Sequence, residues 1–195
     1  MTALLLGGTV RPRPTGLALL QPQAIRLLDL VALQLHTQTA EATRQGRLTP
    51  DQQHTIDVAI DAAVTALREH RPVGITDLPP AVAQLFEAFQ GTSSRFVDSD
   101  DAVYPPATTA ALRPGTKVLL TCGTNDSQVP CATTDALTTA LHRAHTAGPG
   151  RVPLPGVDHL LHGSGGVPLW VRIPMRAWEN PVTCARCHRA EPWDS

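Results

Sequence analysis

The stretch that most constrains the fold runs from Lys117 to Asp126, KVLLTCGTND. Val118-Leu119-Leu120-Thr121-Cys122 lacks the alternation of a half-exposed strand and suits a parallel strand buried on both faces. A covered sheet is therefore implied. The turn formers Gly123-Thr124-Asn125-Asp126 then place the Asp126 carboxylate just past the strand's carboxyl end, where open α/β sheets carry their chemistry.

The residues from Thr133 to His159 complete a strand–helix–strand unit. Leu137, Ala140, Leu141 and Ala144 form one apolar stripe, with Thr133 or Thr134 as N-cap and Gly148 or Gly150 as the stop. Arg151 to Leu154 reads as a short second strand, and Pro155-Gly156-Val157-Asp158-His159 delivers a histidine to the same sheet edge as Asp126. An isolated aspartate in a turn is by default a turn former; the downstream Asp158-His159 is what raises Asp126 to a candidate acid. His162 competes with His159 as the base, and the position directly after Val157-Asp158 favours His159. His36, His54, His70, His142 and His145 fall on predicted helices, where packed or solvated histidines are the default.

Upstream, Ala3-Leu4-Leu5-Leu6 reads as another buried strand halted by Gly7-Gly8, and Arg11-Pro12-Arg13-Pro14 cannot be regular structure. Between Gln21 and Gly46, Ile25, Leu28, Val31, Ala32 and Leu35 recur at helical spacing. A second helix opens at Thr49-Pro50-Asp51-Gln52, with threonine as N-cap, proline at the first helical position and glutamine to close a capping box. Its buried face is Ile56, Ile60, Ala63, Val64 and Leu67. A third carries Val82, Leu85, Phe86 and Phe89 and ends at Gly91. The aromatic pair would pack the helices together or, alternatively, line a pocket. Gly91 to Pro114 reads as an irregular return, its acidic Asp98-Ser99-Asp100-Asp101 a solvated loop.

The order of strand, G-x-x-D, helix, short strand and L-P-G-V-D-H resembles the C-terminal half of the α/β-hydrolase fold, in which the catalytic residues come in the order Ser, Asp or Glu, His. The resemblance implies that Asp126 is the triad acid and His159 the triad base. It also implies that the three helices are a cap over an acyl or leaving-group pocket. The expected fold is α/β: an incomplete α/β-hydrolase-like parallel sheet with a helical cap insertion and an irregular C-terminal tail. Residues 1–16 would be a core strand and turn, 17–114 the cap region, 115–162 the C-terminal part of the core with the acid and base loops, and 163–195 the tail. The family's first strands, oxyanion loop and nucleophile would precede Met1. No G-x-S-x-G elbow occurs in the chain; Gly163-Ser164-Gly165-Gly166 comes after the histidine, and Ser93 and Ser94 lie in the return from the cap.

The function that the resemblance implies is hydrolysis of a carboxylic ester or peptide by acyl transfer to water, in a form inactive alone: a truncated product, a split enzyme completed by a separate chain, or a degenerate relative. Two other classes compete: a non-catalytic protein that binds a partner through its helices, and a small metal-binding protein. The second rests on Cys184-x-x-Cys187-His188, which matches c-type haem attachment or three ligands of a zinc site; an incidental pair in a loose tail is its default. Prolines 168, 174 and 181 break any long helix there, as a reading frame shifted near Gly163 would leave it. No cofactor or metal is assigned. Formal net charge is −1, which leaves no electrostatic footprint for nucleic acid or an anionic membrane and favours a small-molecule substrate. No segment approaches the ~20 apolar residues of a membrane helix, the N-terminus lacks a basic region before its short apolar run, and a cytoplasmic location is expected, with Cys122 a reduced, buried thiol.

Overall fold

The computed structural model describes residues 2–163; the Gly163–Gly166 loop beyond its first residue and the Cys184-Cys187-His188 motif lie outside them. In chain order the elements are α1 (Thr2–Thr9), β1 (Gly16–Leu20), α2 (Leu27–Arg44), α3 (Pro50–Arg68), α4 (Pro80–Gln90), α5 (Ser94–Asp101), α6 (Pro105–Thr108), β2 (Lys117–Gly123), α7 (Asp135–Arg143) and β3 (Ala147–Leu154). The fold is mixed α/β.

The three strands form one parallel sheet with β2 in the middle. Parallel neighbours need long crossovers, supplied by the helices α2 to α6 between β1 and β2 and by α7 between β2 and β3. Every residue of β2 after Lys117 is buried, as its unalternating sequence requires. Leu17, Leu19, Val118 and Leu120 pack with Leu4 of α1, with Leu112, and with Leu137 and Leu141 of α7. β1 alternates instead: Ala18 and Leu20 are exposed.

The first strand is not where the sequence suggested. Ala3-Leu4-Leu5-Leu6 lies in helix α1, and the strand is Gly16–Leu20, all but its first residue inside the stretch expected to belong to the cap. Alanine and leucine are strong helix formers and no β-branched residue interrupts them before Thr9. Gly7 and Gly8 do not make a turn. They bring α1 close to its neighbours, because a Cβ on Gly7 would meet Leu17 at 2.8 Å and one on Gly8 would meet Ala111 at 2.6 Å.

The helices α2 to α5 enclose a separate core: Leu28, Leu35, Ile60, Ala63, Val64, Leu67, Leu78, Phe86 and Val97. The end of α2 is capped by Gly46 at φ +71°, with Arg47 N–H donating to the Ala42 carbonyl, a Schellman arrangement. At the start of α3 the capping box is complete, Gln52 N–H donating to Thr49 Oγ1 and Thr49 N–H to Gln52 Oε1. Phe86 and Phe89 meet edge to face with centroids 6.2 Å apart and pack the helices together.

Residues 91–114 are not an irregular return. They hold α5, α6 and a 3₁₀ turn, Thr109–Ala111. Nor is the acidic run wholly solvated, because α5 is pinned at two buried points. Val97 enters the cap core. Asp101 accepts from the Leu28 N–H at the start of α2 and from Arg68 Nε, both at 2.8 Å, and Arg68 also reaches Asp29. Burial opposes the Asp101 charge, but Arg68 and the Leu28 N–H outweigh it and hold the carboxyl below its usual range. The hydrogen bond that Arg68 donates to Asp101 in turn raises the guanidinium above its ordinary value.

Cys122 is not a free thiol. It is joined to Cys131, the first residue of a 3₁₀ turn, Cys131–Thr134, that leads into α7. Val129-Pro130 folds the chain back so that the strand end and the start of this turn meet, with Cα atoms 5.1 Å apart, a separation that a disulfide spans. No described helix is long and apolar enough to cross a membrane.

Candidate active site

The loops that leave β2 and β3 are sewn to each other by backbone hydrogen bonds. Thr124 N–H donates to the Leu154 carbonyl and Asn125 N–H to the Val157 carbonyl, each at 3.0 Å. In return Gly156 N–H donates to Thr124 Oγ1 at 2.8 Å. The acid loop and the histidine loop are thus one unit at the carboxyl edge of the sheet.

Asp126 lies in that unit with its side chain fully buried. One oxygen, Oδ1, accepts from Gln128 N–H at 2.9 Å and Val129 N–H at 2.7 Å, an Asx turn that shapes the loop. The other, Oδ2, lies 2.9 Å from His159 Nδ1. The turn-forming role and the acid role of Asp126 coexist, one on each oxygen.

A carboxylate can only accept, so Nδ1 of a neutral His159 carries the proton and Nε2 keeps its lone pair. The imidazole is about one third exposed, and Nε2 makes no hydrogen bond within the described residues. His162 is excluded from the pair. Its N–H donates to Asp158 Oδ1, its ring lies 3.5 Å from Asp158 Oδ2, and it is exposed. Of the remaining histidines, His36, His54 and His142 sit on helices. His70 and His145 lie just past helix ends in left-handed backbone, φ 52° each, a correction to their expected helical setting.

A groove of about 1150 Å³ runs along α2, α3 and α4. Leu35, Leu48, Ile56, Ile60 and Val82 give it an apolar lining, and Ser127, next to the candidate acid in the chain, also lines it. Gln34 of α2 donates to the Gln128 carbonyl at 2.9 Å, tying the cap to the acid loop. The sequence reading brought Asp126 and His159 together; it missed Thr124, the disulfide and Gln21, which donates to the Asp158 carbonyl. The cysteine spacing was the one visible signal among these. Ser93 and Ser94 belong to the start of α5, in the cap. Among the described residues no three His, Cys, Asp or Glu side chains gather as a metal site.

Comparison of the chain with models of known families, with curated proteins and with solved structures finds no match. The class defined by the geometry is thus an α/β protein with a parallel sheet, a helical layer between its first two strands, and an Asp–His pair at the carboxyl edge.

Proposed function

We propose that Asp126 and His159 are the acid and base of a serine-hydrolase-type triad, acting in hydrolysis of a carboxylic ester or peptide by acyl transfer to water. The observation that supports the reading is the 2.9 Å contact between a fully buried carboxylate and Nδ1 of an imidazole whose Nε2 has no hydrogen-bond partner among the described residues. In this reading Asp126 holds the tautomer with the proton on Nδ1. Nε2 takes the proton of the attacking hydroxyl, Asp126 stabilises the imidazolium, and Nε2 returns the proton to the leaving group. The apolar groove, which Ser127 lines but Asp126 and His159 do not, would hold the acyl or leaving-group chain at a distance from the reacting atoms.

No nucleophile elbow lies among residues 2–163, and the resemblance places it on a polypeptide segment that precedes β1 in the sheet. Two features support a site for such a segment, from this chain or a separate one. β1 has no strand on its outer side among the described residues, and Leu20 of β1 and Leu5 and Leu6 of α1 are exposed, apolar surface suited to further strands and their helices. The purified full chain is to be treated with a fluorophosphonate probe and p-nitrophenyl butyrate, beside His159→Ala and Asp126→Asn. A serine whose labelling is lost in both variants identifies the nucleophile and supports the reading. A serine labelled equally in all three overturns it. If nothing is labelled, residues 1–195 carry no working nucleophile, and the assay is repeated with a polypeptide that supplies the elbow; no labelling then overturns the reading.

A further inference from the structure

We propose that Gln21 is a positioning residue that latches the His159 loop to the sheet, and that the Asp126–His159 hydrogen bond depends on it. The inference rests on the reading of that pair given above. Gln21 is the first residue past β1 and is 6% exposed. Its backbone lies in the left-handed region at φ +43°, which a residue with a side chain adopts only where its surroundings hold it. Two contacts do so. Its N–H donates to Thr121 Oγ1 of β2 at 3.3 Å, and its side-chain amide donates to the carbonyl of Asp158, the residue before His159, at 2.8 Å.

The Asp158 carbonyl also accepts from Leu161 N–H inside the turn, at 3.1 Å. The peptide group that bears His159 is therefore held from two sides, by its own turn and by Gln21 from the first strand. Only the NH2 end of an amide can face a carbonyl oxygen, so the orientation of the Gln21 side chain is set. The side chain reaches Asp158 by passing over Gly123. A Cβ there would lie 2.6 Å from Gln21 Nε2 and 2.3 Å from the Val157 carbonyl oxygen, so the glycine that ends β2 is what allows both loops to close. Gln21 Oε1 is buried with no partner among the described residues. A methionine of similar length would fill the space without leaving a buried acceptor unsatisfied; what the amide adds is the bond that its nitrogen makes.

The test reads the geometry of the pair rather than turnover. In the full chain, the His159 Nδ1–H proton resonance and the hydrogen exchange of the Asn125 N–H, which is bonded to the Val157 carbonyl, are measured by NMR. Gln21→Met and Gln21→Asn remove the latch, the first by chemistry and the second by length. Gln34→Ala, which loses a similar amide-to-carbonyl contact on the cap side, is the control. In both Gln21 variants the Nδ1–H resonance should weaken or vanish and Asn125 should exchange about tenfold faster, the loss of roughly one buried hydrogen bond. Leu120 N–H in the sheet centre should keep its rate, which a general loss of stability would raise as well. Unchanged Nδ1–H and Asn125 signals in Gln21→Met and Gln21→Asn overturn the latch alone. Absence of the Nδ1–H resonance in the unaltered chain overturns the acid–base pair and the latch with it.

Discussion

The cap and the sheet edge are ordered by different physics. In the cap, nine buried side chains from four helices and the Leu78 loop close on one another, and the polar exception, Asp101 with Arg68, stitches α5 to α2 and α3. At the sheet edge the residues that matter are polar or small. Their positions come from loop-to-loop hydrogen bonds, a disulfide and a glycine that leaves room for a crossing amide. A packed helical layer tolerates many sequences of the right pattern. A sheet edge of this kind tolerates few, because each bond fixes the direction of the next.

The largest expected effect tests whether the two regions are independent. Phe86→Ala should cost about 3–5 kcal/mol, since the ring is wholly buried in the cap core. Hydrogen exchange should quicken in α2 to α4 and stay slow in β2; equal loosening of both would break the comparison. Next, cutting the Cys122–Cys131 bond by Cys131→Ala should cost about 2–3 kcal/mol, as for a loop of roughly ten residues. Here the loosening should appear in the acid loop and leave the cap slow.

Asp101→Asn should lower cap stability by about 1–3 kcal/mol, because it weakens the contacts with Arg68 and the Leu28 N–H. Its pH dependence has a definite sign. The folded carboxyl is held below its unfolded value, so its contribution is present above about pH 4 and is lost as pH falls through the folded value. Urea midpoints measured from neutral to acid pH should fall more steeply for the unaltered chain than for the variant. Val58→Ser, on the exposed face of α3, should change stability by less than about 0.5 kcal/mol; a larger loss would show that this face is covered by something.

The same contrast explains what could be read from the sequence. Helix α3 was legible to its cap, because Thr49, Pro50 and Gln52 act within one turn and the buried stripe repeats locally. β2 and the Asp126–His159 pairing were legible because strand, turn and loop come in a fixed order within one short stretch, Lys117 to His159. α1 was misread because its leucine run carries no periodicity that separates helix from strand, and the glycines that mark a turn also mark close packing. α5 was hidden by its acidic sequence, whose one buried carboxylate depends on Arg68, 33 positions away. Gln21 gave no local sign at all, since its partner lies 137 positions downstream.

The Cys122–Cys131 bond also bears on how the protein has to be made and where it can work. Glutathione and thioredoxin in a reducing cytosol keep such pairs as thiols, whereas secreted and periplasmic compartments retain them. This runs against the cytoplasmic expectation. Two preparations of one sequence, from a reducing and an oxidising host, are then different molecules at the candidate acid: in one, residues 123–130 are an open loop, in the other a closed ring. The redox history of a sample therefore has to be recorded beside its pH before any two measurements on Asp126 are compared.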